Sequence, residues 1–209
     1  MEGLLFKGIT DENIQDMKDS GCLYAKKYLK DEVIFCSGET TEVLGYVLEG
    51  AVNIENITFW GNRTLLSVIE KGQVFGENYA LSREPFMVDA VSAKDSEILF
   101  LNVDMVLNGS FVWQKQMVQN LMLISARKSL RLSSKIFFTS SHRIRDRVSE
   151  YLSWCAKKAG SREFDIPMNR QELADFLNVE RTALSKELSK MEAEGLIEVY
   201  RNHFKLLGF

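Results

Sequence analysis

Four side chains near the C-terminal end combine residue types that read DNA bases: Arg181, Thr182, Ser185 and Lys186. Guanidinium, ammonium and hydroxyl groups donate hydrogen bonds to base edges in the major groove. On a helix these residues and Ser189 share one face, because positions three and four apart lie one above the other. We therefore expect this face to point into solvent and to contact base pairs.

Two short helices joined by a tight turn must hold that face in place. Residues 170–177 and 181–194 have the apolar spacing of such a pair, with leucines facing inward. Ala174 is small enough for the second helix to approach closely, and Asn178 tolerates the left-handed conformation that the turn needs. This geometry places one helix in the major groove. An ordinary amphipathic hairpin with a solvated outer face has the same apolar pattern and is the alternative.

Polar and basic residues around the two helices are candidates for the DNA backbone. The start of the first helix carries Asn169, Arg170 and Gln171, where the positive end of the helix dipole favours a phosphate. Residues 195–208 are predicted to form a closing β-hairpin with Arg201 and Asn202 at its tip. Together with Ser189, these residues are the predicted backbone contacts.

The N-terminal half has a different pattern. Between about residues 26 and 103, short apolar runs alternate with Gly and Asn, and Trp60-Gly61-Asn62 is typical of a hairpin turn. Many short strands with frequent turns predict a small barrel or jelly roll. The chain is therefore α+β, with an N-terminal β-roll and a C-terminal winged helix-turn-helix.

Residues 111–136 contain no Gly or Pro and predict a long helix. One apolar stripe is predicted to form the dimer helix: Trp113, Met117, Leu121, Ile124 and Leu132. A second stripe comprises Val118, Met122 and Leu130. Two apolar faces suggest that the helix packs on its own β-roll and on a partner's helix in a parallel coiled coil; the alternative is a core helix of a monomer.

A hinge is expected at residues 138–141, followed by an amphipathic helix over 142–158. We therefore divide the chain into a β-roll sensor domain (1–110), a dimerisation helix (111–137) and a DNA-binding domain (138–209).

The chain resembles the Crp/Fnr family of bacterial transcription regulators over nearly its whole length. The order YVLEGAVNI, VFGE, long helix, NRQELADFLNVERTALSKEL and EGLIEV carries the resemblance, and the R-Q-E-L-A and R-x-x-L-S-[KR] runs are its most specific parts. It implies an effector domain, a dimerisation helix and a twofold-symmetric DNA site. By motif position it makes Arg181, Ser185 and Lys186 base readers, with Thr182 beside them. The family often has Glu and Arg in place of Thr182 and Lys186, so a different half-site is expected.

Cyclic-nucleotide binders of this fold resemble one another in a phosphate cassette, Gly-Glu followed about ten positions later by Arg-Ser/Thr. Gly76 and Glu77 match the first half, but Met87 and Val88 stand in place of the second, and Asp89 adds negative charge. We therefore expect no cyclic AMP binding by the usual mode. The candidate effector pocket comprises Gly76, Glu77, Met87, Val88, Leu132 and Ser133. Met87 and Val88 either line an apolar ligand pocket or fill the space.

Composition excludes several other classes. The net charge is −3, from 26 basic and 29 acidic residues, so the chain is not a general polyanion binder. Neither a signal sequence nor a span of about 20 apolar residues is visible, so a cytoplasmic location is expected. Both histidines follow the long helix, which argues against haem or a cupin metal in the barrel. Three widely spaced cysteines favour bystander thiols over a redox or iron–sulfur role.

The expected protein is not an enzyme and holds no cofactor, although an unknown small-molecule effector is allowed. Its expected partners are double-stranded palindromic DNA, a second copy of itself and, for an activator, RNA polymerase; no membrane partner is expected. The alternatives are a regulator that needs no effector and a small-molecule-binding or enzymatic β-roll with a helical interaction tail. The outward row beginning at Arg181 separates them, because an enzyme has no need of it.

Overall fold

The computed structural model describes residues 3–58 and 60–207. The contacts divide the chain into two compact units, Met1–Arg127 and Lys128–Phe209. The division falls inside the long helix rather than at residue 111 or 138, so the sequence-based limits of the three functional domains stay a prediction. Within the described ranges, no helix is long and apolar enough to cross a membrane.

The helices, in chain order, are α1 (Asp11–Asp19), α2 (Glu77–Ser82), α3 (Val103–Asn108), α4 (Gln114–Thr139), α5 (Ile144–Ala159), α6 (Arg170–Phe176) and α7 (Arg181–Ala193). The strands are β1 (Leu23–Tyr28), β2 (Val33–Phe35), β3 (Val43–Glu49), β4 (Ala51–Ile57), β5 (Arg63–Glu70), β6 (Val74–Phe75), β7 (Asp89–Ser92), β8 (Ser96–Asn102), β9 (Glu163–Asp165), β10 (Ile197–Tyr200) and β11 (His203–Leu206).

The N-terminal unit is built on two four-stranded antiparallel sheets, ordered β1-β8-β3-β6 and β2-β7-β4-β5. This confirms the predicted β-roll. The predicted turn joins β4 to β5: Gly61 has φ 80°, and the Thr58 amide donates to the Asn62 carbonyl at 2.9 Å. A positive φ is accessible to Gly without a steric cost, which explains why the hairpin reverses there.

The first half of α4 is packed into the core of the β-roll unit. The indole N–H of Trp113 donates to Asp16 of α1 at 2.7 Å, and the buried Asn120 amide donates to the carbonyls of Leu5 and Lys7 at 2.8 Å. The chain's own N-terminal segment is therefore hydrogen-bonded to this part of the helix, and the pairing of Trp113 satisfies its polar atom where it is buried.

This packing corrects the predicted dimer stripe. Trp113, Met117, Leu121 and Ile124 are each 7% exposed or less, and all four belong to one core cluster with the N-terminal segment. They are consequently not available to a partner helix. Leu132, the fifth residue of that stripe, is 61% exposed.

A second seam on α4 does face solvent. Leu123, Leu130 and Phe137 follow one another at seven-residue intervals and are all exposed, with the small exposed residues Ala126 and Ser133 between them. A repeat of seven with alternating steps of three and four is the pattern of a coiled-coil seam. Leu130 of the second predicted stripe lies in this exposed seam, whereas the stripe predicted for the dimer is buried except for Leu132.

The C-terminal unit has its own apolar core beneath a three-stranded sheet ordered β10-β11-β9. The predicted helices, the strand before them and the closing hairpin are confirmed, with ends that differ by a few residues. Phe138 is not a free hinge residue: it is 3% exposed, and its ring lies 5.4 Å from Tyr151 and 5.8 Å from Phe176.

Candidate nucleic-acid interface

The start of α6 is closed by a capping box. The Asn169 side-chain oxygen accepts hydrogen bonds from the amides of Gln171 and Glu172 at 2.9 and 3.0 Å, and the Glu172 carboxylate accepts from the Asn169 amide at 2.7 Å. Each bond satisfies an amide that the helix leaves unpaired. The oxygen of Asn169, a predicted backbone contact, therefore has a structural role, while Gln171 is exposed.

The turn between the two helices has the predicted geometry. Asn178 adopts φ 52°, and the amide of Val179 donates to the carbonyl of Ala174 at 3.0 Å. Ala174, Leu177 and Leu184 are completely buried. Because a short turn forces the helices into contact, the small side chain of Ala174 allows α7 to lie close against α6.

The predicted reading face of α7 points into solvent. Arg181, Thr182, Lys186 and Ser189 are exposed, and Ser185 is partly exposed. The apolar face opposite them is buried in the core of the C-terminal unit. The outward groups are thus donors and acceptors held on a packed helix.

Arg170 is more firmly held than a surface phosphate contact would be. Its guanidinium lies over the Phe204 ring, 5.9 Å from the centroid, and donates to the Arg201 carbonyl at 3.4 Å. Burial, and secondarily the nearby charge of Arg181, lowers the pKa of Arg170. Since an arginine stays protonated at neutral pH, Arg170 adds positive charge beside Arg181 while bracing the hairpin.

A groove of about 520 Å³ lies between the start of α6 and the hairpin tip, and Asn169, Arg170, Arg201 and Asn202 contribute to its lining. Arg201 occupies the tip with φ 56°, and its guanidinium lies 5.4 Å from the ring centroid of Tyr200, which is 70% exposed. Sequence reasoning identified Arg201 but not Tyr200. An aromatic residue preceding Arg-Asn at a hairpin tip was the available signal.

Sequence reasoning also missed Arg145, which joins α5 to α7. The Arg145 guanidinium donates to Glu187 at 2.6 Å and makes a two-pronged pair with Glu194 at 2.6 and 3.0 Å. These bonds raise the pKa of Arg145 and lower that of Glu194. The partners are 42 and 49 positions away in sequence, so no local pattern indicated them.

The segment predicted to hold the second half of the phosphate cassette carries a carboxylate. Asp89 accepts a hydrogen bond from the Ser37 amide at 2.8 Å. The nearest cassette cation, Arg83, is paired with Asp104 at 2.5 Å and Glu42 at 3.5 Å. The sequence has no arginine at the position predicted to bind the phosphate. In addition, Asp89 places a carboxylate near that segment, and Arg83 is ion-paired with Asp104 and Glu42.

Aromatic rings fill the interior of the roll near the cassette. The ring of Phe35 lies 4.7 Å from Phe86, 5.7 Å from Phe75 and 5.9 Å from Phe100. Two of these rings, Phe35 and Phe86, approach the backbone of Gly76, which has φ 73° and would bring an added Cβ within 3.1 Å of Phe35. These phenylalanine rings occupy the space beside Gly76, whereas Met87, which was expected either to line a pocket or to fill the space, is exposed.

The predicted effector residues are divided between the two units. Gly76 is followed by Glu77, which is 2% exposed, but Met87 is 79% exposed and does not line an enclosed pocket. Val88 is partly exposed. Leu132 and Ser133 belong to the other unit, where both side chains are exposed. The exposure of Met87 gives no support to an apolar pocket at this position, and the effector site stays a prediction.

The cysteine thiols are poorly suited to redox chemistry. Burial raises the pKa of Cys22 to about 11, and burial likewise raises the pKa of Cys36 and Cys155. A raised pKa keeps the thiol protonated and unreactive. In the described part of the chain, no three or more His, Cys, Asp or Glu side chains are grouped to hold a metal ion.

His203 lies behind the hairpin tip between two carboxylates. Its Nδ1 is 3.0 Å from Asp165 and its Nε2 is 3.1 Å from Glu163. The imidazolium donates to both, so first the Asp165 bond and then the Glu163 bond raise the pKa of His203. A raised folded-state pKa gives stability that is present below the unfolded value and is lost as pH rises through the folded value.

We predict that the His203 imidazole titrates by NMR with a midpoint above its unperturbed value of about 6.5. The unfolding free energy should fall across that midpoint as pH rises, and His203→Gln should flatten the dependence. His142→Gln, at an exposed site, is the matched control. A His203 midpoint at or below the unperturbed value would contradict the assignment.

Comparison with known proteins agrees with this architecture. Residues 25–108 match the cyclic nucleotide-binding domain family, and residues 146–208 match the Crp-like helix-turn-helix domain family. The chain is 25% identical over 181 residues to Electron transport regulator A of Shewanella oneidensis, covering 83% of this chain and 71% of that protein. It is 22% identical over 192 residues to nitrogen fixation regulation protein FixK of Rhizobium meliloti, covering 91% and 86%.

Among solved structures, the Thermus thermophilus catabolite activator protein is similar with a TM-score of 0.57 at 22% identity, covering 98% of this chain and 93% of that one. This similarity supports the fold. With both domain families matched in this order along one polypeptide, the chain belongs to the Crp/Fnr family of DNA-binding transcription regulators.

Proposed function

We propose that this regulator binds a palindromic DNA site as a homodimer, and that its affinity responds to an effector other than cyclic AMP. The observation that carries the proposal is the solvent-facing row on α7, with Arg181 and Lys186 at its front. Because its ligand is DNA, we place the protein in the cytoplasm. If it is an activator, it would also contact RNA polymerase.

The base contacts are assigned from chemistry and exposure. Arg181 and Lys186 are suited to guanine, whose O6 and N7 accept from cations, while Thr182 and Ser185 offer hydroxyls that suit several bases. Arg201, Gln171 and Ser189 supply groups for phosphates on either side. Arg170 adds positive charge and holds the hairpin tip, through its bond to the Arg201 carbonyl.

We predict that Arg181→Ala reduces discrimination between the selected site and a scrambled duplex by about 1–3 kcal/mol. Removing one bidentate base contact lowers affinity for the specific duplex only. Fluorescence anisotropy on both duplexes, after site selection with purified protein, measures the change. Arg201→Ala is the control, since loss of a phosphate contact should weaken both duplexes alike. An equal loss on both duplexes for Arg181→Ala would reject its role in base reading.

Dimerisation is assigned to the exposed seam of α4 that contains Leu123, Leu130 and Phe137. Exposed apolar residues of this size at seven-residue spacing are costly in water, and a second copy of the same helix covers them symmetrically. The small residues Ala126 and Ser133 between them allow the two helices to approach. Two recognition helices about one turn of DNA apart would then read a palindrome.

We expect Leu130→Asp to shift the protein from dimer to monomer, because a carboxylate in the seam cannot be buried without a partner. Light scattering coupled to size-exclusion chromatography measures the mass. Lys135→Asp places the same charge on the same exposed half of α4, off the seam, and should remain dimeric. If Leu130→Asp stayed a dimer, the seam assignment would be wrong.

The filled β-roll favours one alternative: a regulator that needs no ligand inside the roll. Phe35 and Phe86 lie against the cassette backbone at Gly76, and Asp89 would repel an anion there. An effector that acts elsewhere and a regulator without an effector are both consistent with this interior. A cyclic phosphate fits this interior poorly, because Asp89 adds negative charge and Arg83 is paired with Asp104 and Glu42.

Calorimetric titration with cyclic AMP should therefore give no heat of binding beyond dilution. DNA binding by the same preparation serves as the control for active protein. A micromolar Kd for cyclic AMP would overturn the reading of the cassette.

A further inference from the structure

Arg147, on the first turn of α5, bridges three backbone carbonyls from two distant segments. Its Nε donates to the carbonyl of Ser141 at 2.6 Å. Its Nη1 donates to the carbonyls of Leu177 and Asn178, both at 2.9 Å. One planar guanidinium thus joins the segment after α4 to the turn between α6 and α7.

The acceptors explain why an arginine is needed. Leu177 ends α6, and the last carbonyls of a helix lack intrahelical donors and carry the negative end of its dipole. Asn178 is the left-handed residue of the turn. A rigid fork of donors can serve both oxygens and a third at once, whereas a lysine offers a single compact charge.

The surrounding packing makes this bridge one part of a continuous block. Phe138, at the end of α4, contacts the rings of Tyr151 on α5 and Phe176 on α6. The Ser141 hydroxyl also donates to Glu150 of α5 at 3.2 Å. The end of α4 and the turn that sets the direction of α7 are therefore both fixed to α5.

We propose that Arg147 is a positioning residue for DNA recognition: it sets the orientation of α7 relative to the end of α4. Site-specific binding then depends on Arg147 through the turn at Leu177 and Asn178 rather than through a base contact. A displacement of the end of α4 is passed to the recognition helix by this bridge. The inference rests on the proposed function, because it presupposes that α7 reads a specific site.

The test compares Arg147→Met with Arg143→Met in the full-length chain. Arg143 is exposed at the start of the same helix and takes no part in the bridge. Both variants lose one positive charge, so only the loss of the bridge distinguishes them. Affinities are measured by anisotropy on the selected duplex and on a scrambled one, at a temperature where circular dichroism shows each variant folded. Arg147→Met should lose about tenfold on the selected duplex, the size expected when charge-assisted hydrogen bonds are removed. On the scrambled duplex it should match Arg143→Met.

An equal loss on both duplexes, whether or not it exceeds that of Arg143→Met, would overturn the inference, because a loss of charge or of folded protein acts on both. Arg147→Lys retains the charge without the fork and should stay defective on the selected duplex; full recovery by lysine would also overturn it. If the wild-type chain itself did not prefer its selected duplex, the proposed function would fail instead, which separates the two conclusions.

Discussion

The close contact between α6 and α7 at Ala174 is the constraint on which the DNA-reading surface depends. A completely buried alanine allows the second helix to approach, and the left-handed Asn178 turns the chain within the few residues available. Leu184 and Leu188 then face the core, Lys186 lies on the opposite side of the helix, and Arg181 is exposed at the start of the helix. The reading face is in this sense a consequence of packing on the opposite side.

The supports of that surface come from outside the two-helix motif. Arg145 joins α5 to α7 through two carboxylates, Arg147 holds the turn, and Arg170 lies on Phe204 beneath the hairpin tip. Guanidinium groups suit this work because several donors in one plane can satisfy more than one acceptor. Some charged residues of this unit therefore stabilise the surface, and others, such as Arg181 and Lys186, are exposed on it.

In the N-terminal unit, aromatic side chains and the first half of α4 fill the core of the β-roll. Gly76 follows the short strand β6, aromatic rings lie beside it, and the nearby Asp89 carboxylate accepts a hydrogen bond from the Ser37 amide. The first half of α4 serves the core of this unit, and the seam around Leu130 remains exposed.

Sequence alone determined the β-roll, the long helix, the two-helix motif and its outward row, because these follow from local periodicity and from turn residues such as Gly61 and Asn178. It also determined the absence of a phosphate arginine after Glu77. It did not determine which face of α4 is buried, since Met117 and Leu130 are both apolar and only the tertiary contacts show that Met117 packs with the N-terminal segment.

Only the tertiary structure decided the roles of Arg145 and Arg147 and the exposure of Met87. The short helices α2 and α3 span too few residues for a periodic pattern. Each of the two arginines also has acceptors at least 30 residues away in sequence. The chemistry of a side chain determines which groups it can bind. Its actual partners are set by folding, because residues far apart in sequence come within hydrogen-bond distance only in the tertiary structure.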